Sequence, residues 1–512
     1  MRATQTPERT AVVLDDCAYA YGALLSEVQQ VAAWAARLSE VGDRPQKSPL
    51  VALLSANRIE FLQVFLGTAA AGGVAMVLSP RWGLAQVQAV LGRWPPDGLV
   101  GEAARLGSLP PSVEIPSITA LPSSVVPWRS QPSASSGRAL KRDILTEAPA
   151  DADRPFYICF TSGTTGQPKG IIKTHRSWLD GLAASRTEFG IGPTDRVLVP
   201  GELAHSLSLY TTVEVLSAGA ALHLLHQATG RAAMAQFRQH AITVIVAVPT
   251  LLYQLASAAI AQDAAFPSVR LLVSGGAKLT DRIASAVAQA FPQARVVEYY
   301  GASELGFVSL RAGNAVPAAS VGRPFKSVEL SIQRQDGSGE ANVDECGWVS
   351  VRSTMICSGY LTDALGASTD RPASGFRQVN GWWTVGDRGW RDAQGYLYLA
   401  GREEMLLCAG VNVDPAAVEA ALLNLPEVVA AVVLGLSDDC RGDVIHAVVV
   451  WREVGLTRRS LRLQLRPYLS RHALPRRVYA LPELPLTPSG KVARAHLTER
   501  LGRGELTPYE VR

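Results

Sequence analysis

The stretch FTSGTTGQPKG, residues 160–170, sets glycines and four hydroxyl side chains around one lysine. Gly163 and Gly166 free the backbone to turn several N–H groups into one concavity. Thr161, Ser162, Thr164 and Thr165 add hydroxyl donors, and Lys169 adds a full positive charge. Such a composition holds polyphosphate oxygens. It is not the GxxxxGK[ST] loop, because Lys169 is followed by Gly170 and no helix pattern begins there. A plain Gly/Ser/Thr linker is the alternative; the strand-like runs RPFYICF and GIIKT, which flank the loop closely, weigh against it without removing it. Other residues able to do chemistry are Glu304 in YYGASE, Asp387 in GWWTVGD, His205 in GELAHSLSLY and Lys491 in TPSGK. Lys491 is one of seven lysines in a chain that otherwise prefers arginine, and none lies between it and Lys326. A solvated surface lysine is the ordinary case. A compact, flexible point charge, however, suits a place where two anions must meet. At about 4 Å and an effective dielectric of about 20, one such contact is worth roughly 4 kcal/mol.

The elements that must position these residues read most clearly between 240 and 305. ITVIVAVPT predicts a strand, LLYQLASAAIAQ a helix, and VRLLVSGGAKL a strand ending in glycines. TDRIASAVAQAF predicts a helix with Thr280 as its N-cap, and ARVVEYYGASE a further strand. A βαβαβ run implies parallel strands with right-handed crossovers, and ligands bind beyond the carboxyl ends of such strands. SGGAK and YYGASE stand at those ends, so Gly275, Gly276, Ala277, Tyr299, Tyr300, Gly301, Ala302, Ser303 and Glu304 become candidates by position.

Nearer the N-terminus, LVALLSA, RIEFLQVFLGTAAAG and VAMVLSP predict strand, helix and strand. Residues 104–153 are dense in proline and serine and predict an irregular surface segment. From about 320 to 400 short runs with turns predict a β-rich region. After Gly401 the pattern becomes a compact α+β unit: helix DPAAVEAALLNLP, strands VVAAVVLGL and VIHAVVVW, helix RRSLRLQLRPYLSRH. The expected class is α/β: a large domain, residues 1–401, of doubly wound subdomains plus a small β-barrel-like region, then a smaller, mobile α+β domain, residues 402–512.

Bulk properties fit that division. A chain of 512 residues exceeds what one core usually serves, and 47% hydrophobic with 18% charged residues is ordinary globular composition. A net charge of +4 implies no nucleic-acid or membrane partner. Six dispersed cysteines without CxxC spacing suit a reducing compartment. No signal-like N-terminus and no apolar run of membrane-spanning length is present, so the expectation is a cytoplasmic protein.

Five segments in order, FTSGTTGQPKG, YYGASE, GWWTVGD, GREEM and PLTPSGKVAR, resemble the motifs of the adenylate-forming superfamily of acyl-CoA synthetases, luciferases and nonribosomal adenylation domains. That resemblance implies ATP, Mg²⁺ and coenzyme A as cofactors and a small-molecule carboxylic acid, with an aromatic ring or an alkyl chain, as substrate. Thr161, Ser162, Gly163, Thr164, Thr165 and Lys169 then close over the ATP phosphates, with Gly275, Gly301 and Ser303 on the nucleotide side. Thr161 and Glu304 hold the metal, Tyr300 stacks on adenine, and Asp387 and Arg402 reach the ribose. His205, Gly276, Ala277, Tyr299 and Ala302 line the acid pocket. Lys491 bridges the carboxylate and the α-phosphate, and Glu404 is the nearest match to the hinge acid.

The chain departs from the family pattern in three places. Val385 replaces the usual threonine before Gly386 and Asp387. GREEMLLCAGVN is one residue shorter than the usual form, and Cys408 and Ala409 stand where a lysine is often found. No carboxylate lies between Ala204 and Tyr210 to hold an α-ammonium, so the expected acid lacks an α-amino group. The C-terminal arginines, Arg452, Arg458, Arg459, Arg462, Arg466, Arg471, Arg476 and Arg477, fit either the 3′-phosphate of coenzyme A or an acidic carrier protein. Three functions stay open: an acid–CoA ligase, a ligase loading a carrier protein, and a catalytically silent adenylate-binding regulator.

Overall fold

The computed structural model describes residues 2–38, 48–109, 118–121, 151–161, 168–313, 315–334, 336–363, 366–368, 376–402, 406–440, 442–453, 455–485, 492 and 494–509. The chain divides into two compact units. One comprises Met1–Pro80, Val90–Phe160 and Gly170–Gly401; the other comprises Arg81–Ala89, Thr161–Lys169 and Arg402–Arg512.

Two large sheets dominate the first unit. In the nine-stranded sheet, Val244–Ala247, Leu271–Gly275 and Arg295–Ala302 lie side by side and parallel, and Gly306–Ala312 then returns antiparallel to Arg295–Ala302. The helices Pro249–Ile260 and Asp281–Ala290 make the crossovers, so the expected βαβαβ run is present. Proline opens the first helix, where its missing N–H costs nothing. Thr280 caps the second, its hydroxyl accepting from the Ile283 N–H. The middle strand Leu271–Gly275 is buried at every position, because helices or other strands cover both faces.

The eight-stranded sheet contains the parallel strands Val74–Leu78, Leu50–Leu54 and Gly98–Glu102, with Pro155–Thr161 parallel to the first of them. Lys169–Thr174 follows, and pairs antiparallel with Gly359–Leu361. That last pairing brings residues nearly two hundred positions apart into one layer and becomes important at the site. A six-stranded antiparallel sheet built from Glu329–Gln333 through Leu397–Arg402 forms the β-rich region.

In the second unit a five-stranded sheet is organised by the long hairpin Val428–Asp438 and Gly442–Trp451. Its core gathers Val418, Leu422, Val433, Ala447, Val449, Leu461 and Leu465 under the helices Pro415–Leu423 and Arg458–Leu465.

The structure corrects two readings of local pattern. Within the segment expected to be irregular, Ile118–Leu121 forms a strand parallel to Gly98–Glu102; residues 110–117 and 122–150 lie outside the described residues. Four residues gain a partner strand there despite the surrounding prolines, a tertiary effect that local composition does not carry. The helix read from RRSLRLQLRPYLSRH ends at Leu465, two residues before Pro467. Proline disfavours helical geometry in the residue before it and lacks the N–H to continue. Among the described residues, no helix is long and apolar enough to cross a membrane.

Candidate nucleotide and acid site

Strand register sets the centre of the site. Leu271–Gly275 pairs with Arg295–Ala302 so that Ser274 faces Glu298 and Gly275 faces Tyr299. The Tyr299 ring lies directly across Gly275: a Cβ at residue 275 would stand 2.4 Å from the tyrosine Cζ. Only glycine permits that approach. Phe307 meets Tyr299 edge-on at 4.9 Å between ring centroids, and Phe189 lies 6.3 Å away. Around this ring Gly276, at φ +86° and exposed, and Ala277 and Ala302, both half-buried, contribute little side-chain volume. Glu298 holds the glycine turn from below. Its carboxylate accepts from the Leu279 N–H at 2.8 Å and pairs with Arg311.

One residue further along the same strand, the Tyr300 hydroxyl donates to Asp387 Oδ2 at 2.6 Å. Asp387 opens the strand Asp387–Arg391 after Gly386, whose φ of +83° makes the turn. The turn is anchored by Thr384, which donates to the Val349 carbonyl at 2.8 Å and accepts from the Gly386 N–H at 3.1 Å. Val385, at the position where family members usually carry threonine, is buried. The rigid acid-bearing turn is therefore made by Thr384, one residue upstream.

Glu304 follows Gly301, Ala302 and Ser303 in the turn that leads to Gly306. It is buried, and Oε1 accepts from the Tyr360 hydroxyl at 2.8 Å. Its carbonyl accepts from the Cys357 N–H at 2.7 Å. Close by lies Lys173, 5% exposed, whose ammonium donates to the Met355 carbonyl at 2.9 Å. Burial lowers the proton affinity of Lys173, while Cys357, Cys159 and Glu304 act in the opposite direction. Burial also pushes the Cys159 thiol up to about 11 and the Cys357 thiol up to about 12.

Thr161 ends the strand Pro155–Thr161 and Lys169 begins the strand Lys169–Thr174. Ser162, Gly163, Thr164 and Thr165 lie outside the described residues, as do Glu404 and Lys491. Arg402 is the last residue of the strand Leu397–Arg402. His205 precedes the helix Ser206–Ala218, where its side chain supplies no cap bond; its Nε2 stands 3.7 Å from Glu202 Oε2.

Among the expected residues, then, the fold joins Gly275 with Tyr299, and Tyr300 with Asp387. It sets Glu304 in the turn that follows them. It also adds Glu298, Tyr360 and Lys173, which motif reading passes over. For Lys173 a signal exists: GIIKT is an apolar strand interrupted by one of only seven lysines.

A tyrosine–aspartate pair that joins two strands, a buried carboxylate in the turn after the tyrosine and two glycine-bearing strand ends suit an adenylate-forming enzyme. The chain belongs to the AMP-binding enzyme family: that family's pattern matches residues 1–361, and the pattern of the AMP-binding enzyme C-terminal domain matches residues 417–491. Among particular relatives, it is similar to the uncharacterised acyl–CoA ligase YhfT of Bacillus subtilis (strain 168). The two are 31% identical over 503 residues, which is 98% of this chain and 96% of that protein. Among solved structures, the amide bond synthetase McbA from Marinactinospora thermotolerans superposes with a TM-score of 0.81 at 26% identity, covering 97% of this chain and 98% of that one. The fold is also that of a double mutant of o-succinylbenzoate CoA synthetase (MenE) from Bacillus subtilis bound to a product analogue. There the TM-score is 0.78 at 23% identity, covering 98% and 97% of the two chains.

Proposed function

We propose that the protein is an ATP-dependent acid–CoA ligase, which converts a carboxylic acid to its acyl adenylate with release of pyrophosphate and then passes the acyl group to the thiol of coenzyme A. The observation that carries this reading is the Tyr300–Asp387 hydrogen bond, made across 87 positions of sequence in a member of the AMP-binding family. It holds an aromatic face for a purine beside a carboxylate that retains lone pairs for ribose hydroxyls. Likeness to an acyl–CoA ligase over nearly the whole chain supports coenzyme A as the acceptor.

In the first half-reaction the acid is already an anion at neutral pH, so no general base is required. Catalysis then consists of positioning and charge stabilisation. The glycine-rich loop with Thr161 and Lys169 takes the phosphates, and Lys491 meets the attacking carboxylate and the α-phosphate, with Arg402 at the ribose. Among the described residues no three His, Cys, Asp or Glu side chains gather into a metal cluster. Glu304, a buried carboxylate, and the Thr161 hydroxyl are the groups that would hold Mg²⁺, which takes one or two carboxylates and fills its shell with water and phosphate oxygens. When bound, Mg²⁺ would neutralise phosphate charge. Residues 402–512 act as the mobile lid, with Glu404 near its hinge, so that Lys491 leaves before the thiol attacks.

With Tyr299 set across Gly275 and backed by Phe307, an aromatic ring stands at the strand ends proposed to receive the acid, which favours a compact acid over an extended chain. Six unpaired thiols agree with a reducing, cytoplasmic setting.

Incubating the protein with ATP, Mg²⁺ and a panel of acids, from acetate to palmitate and including single-ring aromatic acids, tests the proposal. Pyrophosphate release with a compact acid and a mass-identified CoA thioester are expected. Absence of pyrophosphate with every acid would exclude a ligase. Release of pyrophosphate with acyl transfer to a carrier protein, and none to CoA, would reassign the acceptor.

A further inference from the structure

Lys173 is a buried charged residue that follows the buried apolar pair Ile171 and Ile172 in its strand. A buried ammonium is costly unless it is hydrogen-bonded and its charge is balanced. Its hydrogen bond goes to the Met355 carbonyl. The ionisable groups that act on it are Cys357, Cys159 and Glu304, and burial keeps both thiols protonated at neutral pH. Glu304 is the carboxylate among these groups.

A chain of hydrogen bonds links Lys173 to Glu304. Met355 and Cys357 belong to one short connection, residues 353–358. Lys173 holds that connection at the Met355 carbonyl, and the Cys357 N–H holds the Glu304 carbonyl. The Ser358 N–H donates to the Ile172 carbonyl, and the register of Gly359 with Ile172 and Tyr360 with Ile171 locks the connection to the strand of Lys173. Tyr360 then returns its hydroxyl to Glu304 Oε1. Gly306, at φ +76°, leaves room for Met355: a Cβ there would stand 2.8 Å from the Met355 Cβ.

We propose that Lys173 is a positioning residue for the nucleotide metal: through its bond to Met355 and the connection 353–358 it holds the Glu304 turn so that the carboxylate is aimed for a divalent cation on the ATP phosphates. The inference rests on the reading of Glu304 as the metal carboxylate. Lys173 itself touches neither substrate nor metal.

Full-length wild type, Lys173→Met, Lys173→Gln, Lys173→Arg, Tyr360→Phe and Glu304→Gln are compared. Mn²⁺ binding is measured by electron paramagnetic resonance in the presence of a non-hydrolysable ATP analogue, alongside the Mg²⁺ dependence of pyrophosphate release and thermal unfolding. Lys173→Met is expected to weaken Mn²⁺ binding about ten-fold and to raise the Mg²⁺ half-saturation by the same factor, with KM for the acid unchanged. Lys173→Gln and Lys173→Arg keep a donor for the Met355 carbonyl and are expected to regain metal affinity in part. If Lys173→Met loses thermal stability but binds Mn²⁺ as the wild type does, the lysine is merely structural and the proposal is overturned. If Glu304→Gln loses Mn²⁺ while Lys173→Met retains it, only the role of Lys173 falls. If Glu304→Gln itself binds Mn²⁺ normally, the parent reading falls and takes this one with it.

Discussion

Asp387 and Lys491 carry the most direct tests at the scale of single residues. Asp387 Oδ2 already accepts from Tyr300, so the ribose contact proposed for it depends on a carboxylate with acceptor capacity at both oxygens. Asp387→Asn converts one acceptor to a donor. KM for ATP should rise about ten-fold or more in steady-state pyrophosphate assays, since hydrogen bonds to charged groups are worth about 1.5–3 kcal/mol. Lys491→Ala should slow adenylation about 10²-fold or more, yet leave acyl transfer from chemically prepared acyl adenylate to CoA close to wild type. Equal adenylation rates for mutant and wild type would remove the lysine from the mechanism.

The pairing of Leu271–Gly275 with Arg295–Ala302 shows what an element contributes beyond its residues. SGGAK and YYGASE are visible as separate motifs, but their one-to-one register, Gly275 against Tyr299, is a property of the sheet. Gly275→Ala puts a methyl group into the tyrosine ring and should destabilise by about 1–3 kcal/mol, the usual range for overpacking. Tyr299→Ala should relieve that cost, so the double variant is expected to be more stable than the sum of the two single effects. The same Tyr299→Ala change should shift preference toward longer acids, measured as the ratio of kcat/KM for octanoate to that for acetate. An unchanged ratio would remove Tyr299 from the end of the pocket.

Across the whole molecule, buried ionisable groups tie stability to pH. Glu214, on the helix Ser206–Ala218, is buried, and Oε1 has no hydrogen-bond partner among the described residues. Burial raises its carboxyl to about 7, with Ser185 and Arg186 opposing. A folded-state value above the unfolded one means that the contribution is complete below about pH 4.5. It is then lost as pH rises through about 7, because the unfolded chain releases the proton first. The loss is on the order of 3 kcal/mol. Urea unfolding at pH 5 and pH 8 should show a smaller fall in stability for Glu214→Gln than for wild type; identical falls would assign the pH dependence elsewhere.

How much was legible in advance follows from the range of each interaction. Motif chemistry, the parallel βαβαβ run with its Thr280 cap, and the β-rich and α+β regions are encoded by neighbours a few residues apart, where hydrophobic period, capping and turn composition act. FTSGTTGQPKG, YYGASE and GWWTVGD therefore identify the family by themselves. Contacts over long separations were not legible, because no local pattern specifies which strand edge meets which. The bond from Tyr300 to Asp387, the clasp of Tyr360 on Glu304 and the strand at Ile118–Leu121 belong to this group. Lys173 marks the border between the two: its presence in an apolar run was visible along the chain, but only the pairing of Lys169–Thr174 with Gly359–Leu361 decided which carboxylate it serves.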